Sequence, residues 1–196
     1  MNKTRQGEPL LLGHIMRDLL REIDPEPSRG GLLETPDRAA EAWRHWTSGY
    51  AEDPATLLKV FEDGAESYDE MVVVADIPVY SHCEHHLATI FGTAAVAYIP
   101  NGKIVGLSKI NRVVDAFARR LQVQERLTAQ IADAINNNLN PKGVAVMLNC
   151  RHMCMESRGI RQPGTYTLTS ALRGVFKEDA AARAEFFNLV KTGAPK

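Results

Sequence analysis

Two short clusters rich in cysteine and histidine, Ser81-His82-Cys83-Glu84-His85-His86 and Arg151-His152-Met153-Cys154, stand far apart along the chain. If one metal ion draws ligands from both, the fold must close that distance to a few ångströms, a demand that few architectures meet. Soft thiolates and an imidazole suit Zn²⁺, and a catalytic zinc commonly keeps three protein ligands while leaving a fourth position for water. Cys83 and His86 are three positions apart, so a single turn presents both on one side. The remaining ligand must come from the second cluster.

There, Val144, Val146 and Leu148 are apolar at alternate positions after Gly143, which reads as a strand. The same parity runs on through Cys150, His152 and Cys154, so an unbroken strand places these three on one face, with His152 and Cys154 roughly 7 Å apart at Cα. Cys154 then holds metal with His152 beside it. Cys150, about 13 Å from Cys154 on such a strand, is too distant to share the ion and reads as a small buried hydrophobe. A closed site that only staples loops is the competing account, and it needs a fourth ligand from His82, His85 or His152. Without metal, Cys83 and Cys154 become neighbouring thiols able to form a disulfide.

With 196 residues and 44% hydrophobic composition, the chain buries a real core. We expect an N-terminal helical arm over residues 1–65 and a catalytic domain over 66–196. A formal net charge of -1 argues against nucleic-acid binding. Three cysteines, an odd number, fit a reducing compartment, the cytoplasm, better than a disulfide framework. The Leu10-Leu11-Leu12 run is followed at once by His14, Arg17 and Asp18, so it is neither a signal-peptide core nor a membrane span.

Leu12, Ile15, Met16, Leu19, Leu20 and Ile23 recur at helical spacing, and a second helix is expected from the cap Thr35 and Pro36 to Gly49. Strands follow over Met71–Val79 and Thr93–Ile99, then a helix capped by Ser108 with Ile110, Val113, Val114 and Phe117 buried. A helix from Gln124 to Leu139, stopped by Asn140-Pro141, precedes strands Val144–Cys154 and Thr165–Leu172 and a closing helix Asp179–Lys191 carrying Phe186, Phe187 and Val190. The order of strand pairs around two helices is α+β, without βαβ alternation. The stretch Asn101–Ser108 lacks the Gly-Lys-Ser/Thr ending of a P-loop.

Lys109 and Arg112 project together near a helix N-terminus, where backbone N–H groups and the dipole favour an anion such as phosphate. An ordinary solvated face explains the pair about as well. Arg158 and Arg161 add guanidinium groups just after the second cluster. Glu125 in Gln122-Val123-Gln124-Glu125-Arg126 offers a carboxylate that matches the adjacent N1–H and amine of guanine, although complementing the helix dipole is the simpler account on spacing alone.

The segments Cys83-Glu84-His85-His86, Gly106-Leu107-Ser108-Lys109-Ile110-Asn111-Arg112, Gln122-Val123-Gln124-Glu125-Arg126-Leu127-Thr128, and His152-Met153-Cys154 with Arg158-Gly159 occur in the same order as in GTP cyclohydrolase I, which the chain resembles over about Thr35–Val190. The resemblance implies one Zn²⁺ per subunit on Cys83, His86 and Cys154, with His152 as acid/base beside guanine N7 and His85 and Ser108 completing the catalytic set, His85 at the ribose end. It implies guanine held by Gln124 and Glu125, and triphosphate held by Ser108, Lys109, Arg112 and Arg158, with Arg38 reaching in from another subunit. It further implies the tunnelling fold, a toroidal homodecamer, and conversion of GTP to 7,8-dihydroneopterin triphosphate with release of formate, the first step of tetrahydrofolate and pterin synthesis. A zinc nucleoside deaminase is the rival enzyme, since His82-Cys83-Glu84 matches His-x-Glu, but its Pro-Cys-x-x-Cys partner is missing.

Overall fold

The computed structural model describes residues 12–61 and 68–192, and the chain divides into compact units Met1–Thr47 and Ser48–Lys196. Leu10, Leu11 and the expected domain boundary at 65/66 lie outside the described residues. In the first unit, α1 (Leu12–Ile23) packs against α2 (Thr35–Trp46), joined through a 3₁₀ turn at Gly30–Leu32. Pro36 sits in the first turn of α2, where its missing N–H costs nothing, but the cap is Glu34 rather than Thr35. The helix ends at Trp46, short of Gly49.

The second unit starts with a 3₁₀ turn (Ser48–Ala51), α3 (Pro54–Leu57) and β1 (Val60–Phe61). Then come β2 (Val72–Cys83), β3 (Thr89–Ile99), β4 (Ile104–Val105), α4 (Leu107–Ala118), β5 (Leu121–Gln122) and α5 (Gln124–Leu139). The chain closes with β6 (Gly143–His152), α6 (Met153–Glu156), β7 (Tyr166–Gly174), α7 (Val175–Glu178) and α8 (Ala180–Thr192). A five-stranded sheet has the order β5-β2-β3-β6-β7, antiparallel except for the short β5 beside β2, and β1 pairs with β4. This is an α+β architecture with a largely antiparallel sheet. Among the described residues, no helix is long and apolar enough to cross a membrane.

Period-two alternation decides what covers each face. On one side Ile90, Val96, Val146, Leu148 and Cys150 pack against Ile110, Val113 and Val114 of α4 and Leu127, Ile131 and Ile135 of α5. On the other, Ala95, Ala97 and Ala145 leave room for Phe176 of α7 and Phe186 of α8. Each large side chain so buried contributes roughly 1.5–3 kcal/mol. In β2 the inward residues change parity, from Val72 and Val74 to Ile77 and Val79, and a register shift between Val74 and Ile77 absorbs the change, with Asp76 at φ 53.

Several expected limits move. The second strand begins four residues earlier, at Thr89, because the hairpin that carries the first cluster is tight. Ser108 is the second residue of α4, and Gly106 caps it. Alternation in β6 holds only to His152, after which the chain turns into the single-turn α6, so Cys154 sits on a helix and not on the strand extension.

Candidate active site

The first cluster occupies the β2–β3 turn, closed by the Cys83 N–H donating to Ala88 O at 2.8 Å and the Leu87 N–H donating to Cys83 O at 2.8 Å. This winding brings Cys83 Sγ to 3.6 Å from His86 Nδ1 and 4.0 Å from His85 Nδ1. Since β3 lies between β2 and β6, with Ile90 opposite His152, the second cluster emerges at the same end of the sheet. The ligand atoms of Cys83, His86 and Cys154 all lie within 4.8 Å of one another. Tetrahedral zinc with bond lengths of about 2.0–2.3 Å asks for ligand separations of roughly 3.5–3.8 Å, so the cradle fits such an ion with a small closure.

Its electrostatics also ask for a cation. Burial and the neighbouring Cys83 push the Cys154 thiol above its ordinary value, so two thiolates this close need a positive charge between them. Arg158 opposes that rise only weakly. Cys150, by contrast, is buried without such company, and desolvation pushes its thiol up to about 12.

A cleft of about 190 Å³ is lined by Cys83, His86 and Cys154 and by His85, Gln124, Glu125 and His152, together with Ile90, Gln122 and Val123. Gln124 is only 2% exposed, and its amide is fully committed. The Nε2 group donates to Thr167 O at 2.9 Å, Thr169 Oγ1 at 3.0 Å and Leu148 O at 3.3 Å. Thr128 Oγ1 in turn lies 2.7 Å from Thr169 Oγ1. Only Gln124 Oε1 is left, 2.8 Å from His152 Nε2, which therefore carries the proton, leaving the lone pair on Nδ1. Burial pushes the His152 pKa below its ordinary value, and Glu125 partly offsets this, so the ring is neutral at pH 7.

Seven of the expected site residues thus meet in one cleft. Ser108, Lys109 and Arg112 lie instead on the first turns of α4, Ser108 and Arg112 exposed, and Arg158 lies exposed after α6; none of the four lines the cleft. Arg38 belongs to the other unit, where it is exposed and paired with Glu34. Glu84 is bound by Arg126, whose guanidinium holds its carboxyl below the ordinary carboxylate range. That ion pair, like the Arg151–Glu156 pair, was not foreseen: each charge was visible, but its partner lay elsewhere in the chain or in an unforeseen turn.

The model of a family described as GTP cyclohydrolase I matches residues 13–191. The chain belongs to that family. It is 61% identical over 175 residues to GTP cyclohydrolase 1 of Janthinobacterium sp. (strain Marseille), covering 89% of this chain and 88% of that protein. It is 60% identical over 174 residues to GTP cyclohydrolase 1 of Nitrosospira multiformis, covering 89% and 91%. To GTP cyclohydrolase 1 of Corynebacterium glutamicum it is 51% identical over 179 residues, covering 90% of each. The family match takes in both clusters and the segments around Ser108 and Glu125.

Proposed function

We propose that the chain hydrolyses the guanine imidazole ring of GTP at C8, releases formate, and rearranges and recloses the product to 7,8-dihydroneopterin triphosphate, the entry to tetrahydrofolate and pterin synthesis. The observation that carries this reading is the meeting of Cys83, His86 and Cys154 with His152 and Glu125 in one cleft. Zn²⁺, one per subunit, fits the three ligands, and when bound it supplies Lewis acidity and lowers the pKa of water. Glu125 accepts the guanine N1–H and amine protons side by side. Gln124 shares the guanine with Glu125 at the cleft, and its Oε1 also aligns His152. His152 Nδ1 takes the proton from the water as it adds to C8 and passes it to N7, neutralising the charge that the addition places there. Water addition at C8 opens the ring to a formamide, and a second hydrolysis frees the amine and formate. His85 stands at the ribose end of the cleft.

Ser108, Lys109, Arg112 and Arg158 are assigned to the triphosphate, joined by Arg38 of a neighbouring subunit. The cleft falls below the roughly 300–1,000 Å³ of pockets that enclose a whole small ligand, which supports a site finished at a subunit junction. A tunnelling-fold homodecamer in a reducing cytoplasm accommodates that arrangement. Incubation of zinc-loaded protein with GTP tests the reading: formate and a pterin that fluoresces after oxidation are expected in equal amounts. Release of ammonia in place of formate would establish the deaminase instead.

A further inference from the structure

Each half of the metal cradle carries a glutamate that the chemistry above does not use. Glu84 follows Cys83 directly, and Glu156 lies two positions after Cys154. Both are gripped by an arginine in a forked arrangement. Arg126 donates to both oxygens of Glu84, through Nη1 at 3.4 Å and through Nη2. The same guanidinium is fixed from behind, its Nε donating to Gln122 Oε1 at 3.2 Å and its Nη2 to Leu121 O at 3.3 Å. Gln122 is itself held, donating to Phe117 O and Gln130 Oε1, both at 2.9 Å, while its backbone oxygen accepts the Glu84 N–H at 3.1 Å. The β2–β3 turn is thereby tied to β5 and the first turn of α5.

On the other turn, Arg151 Nε donates to Glu156 Oε1 at 2.7 Å and its Nη2 to Oε2, which also accepts the Gly164 N–H at 3.2 Å. The Arg151 guanidinium lies 5.2 Å from the centre of the Phe91 ring on β3. The Glu156 side chain is only 5% exposed, so its charge is kept by these partners and not by water. This pair ties α6 to the end of β6 and to the loop that follows.

The Glu84–Arg126 pair is half-exposed and adds little to global stability, and Arg151–Glu156, though the Glu156 side chain is buried, joins residues only five apart. Two forked pairs, each beside a cysteine of the cradle, are therefore better placed to set local geometry than to hold the fold. We propose that Glu84–Arg126 and Arg151–Glu156 are positioning pairs that hold the two ligand-bearing turns ready for the metal before it arrives. The inference rests on the metal reading given above. A turn free to wander loses part of the binding free energy to ordering, and partners of this outer kind typically change metal affinity by about 10–100-fold.

The test uses the full chain, stripped of metal and titrated with Zn²⁺ against a chromogenic chelator. Glu84→Gln and Glu156→Gln keep shape and lose charge, while Arg126→Lys and Arg151→Lys keep charge and lose the fork. Each variant is expected to weaken zinc affinity about 10-fold or more, with the thermal midpoint of the metal-free protein within about 3 °C of the parent, a change of roughly 1 kcal/mol. The charge-swapped double variant Glu84→Arg/Arg126→Glu is expected to regain affinity over its single variants. If the parent binds zinc and all four variants bind within about threefold of it, the positioning role is overturned while the metal reading stands. A loss of affinity matched by a larger fall in the metal-free midpoint also overturns it, in favour of a general structural role. A parent that fails to bind zinc stoichiometrically overturns both.

Discussion

His152 shows how little of a side chain's role is settled by its identity. Its ring is held at Nε2 by an amide whose other hydrogen-bonding capacity is spent, so the lone pair is left on Nδ1. In the proposed reaction, replacing His152 with Ala removes a proton carrier but no metal ligand. Ring opening should fall by about 10²–10⁴-fold, while zinc content by elemental analysis stays at the parent value; loss of zinc would instead make the residue a ligand. Cys150 is the contrasting case of a thiol that does nothing but pack. Its ordinary value of 9.0 rises to about 12 in the folded state, so between those limits the unfolded chain ionises while the native one keeps its proton. Folding stability attributable to this group is therefore intact below pH 9 and falls as pH rises, by up to about 1.4 kcal/mol per unit. Denaturant titrations at pH 8, 9.5 and 11 should show the Cys150→Ala protein gaining on the parent with each step, and a constant difference would contradict the burial argument.

Among the elements, the contact between β3 and β6 is the one on which the site depends. Gly92 faces Cys150 there, and a Cβ at that position would lie 2.0 Å from Asn149 O and 2.7 Å from Cys150 Cα, backbone atoms that cannot swing aside. Gly92→Ala should cost more than the ~1–3 kcal/mol of an overpacked core and lower the melting midpoint by at least about 4 °C; scanning calorimetry measures it. Much of this architecture was legible beforehand. The helices α1, α4 and α5 followed from their spacing, and Asn140 stops α5 through a left-handed cap at φ 52. Within β2, where a single strand over Met71–Val79 was expected, the parity changes between Val74 and Ile77, and the bulge is its physical outcome. What sequence concealed were the short pieces fixed by tertiary contact, namely β1, β4, β5, α3, α6 and α7, too brief to carry a period. The same limit misplaced Cys154: nothing in the alternation of β6 announces that the strand gives way at Met153. In the site, the grouping of Cys83, His86 and Cys154 was visible from spacing, but Gln124 was not readable as a buried anchor, since Thr167 and Thr169 reach it only once β7 lies beside β6.

For the molecule as a whole, the proposed assembly makes one demand that solution work can meet. If Arg38 acts in a neighbour's cleft, Arg38→Ala and His152→Ala subunits lack different parts of one composite site. Each variant alone should be nearly inactive, and after unfolding and refolding together in equal amounts the mixture should regain activity at roughly a quarter of its sites, the fraction expected from random pairing. Activity no greater than the mean of the two separate proteins would confine the site to a single chain. The placement of the proposed metal site, with Cys83 and His86 at the β2–β3 turn and Cys154 on α6 after β6, also has a bearing on how the protein is made. A chain still emerging from the ribosome exposes Cys83 and His86 long before Cys154, and two ligands on one turn hold an ion only loosely. On the proposed metal reading, secure capture waits until the central hairpins have closed, so loading of the ion would certify a finished sheet, and a stalled or misregistered chain would be left without it.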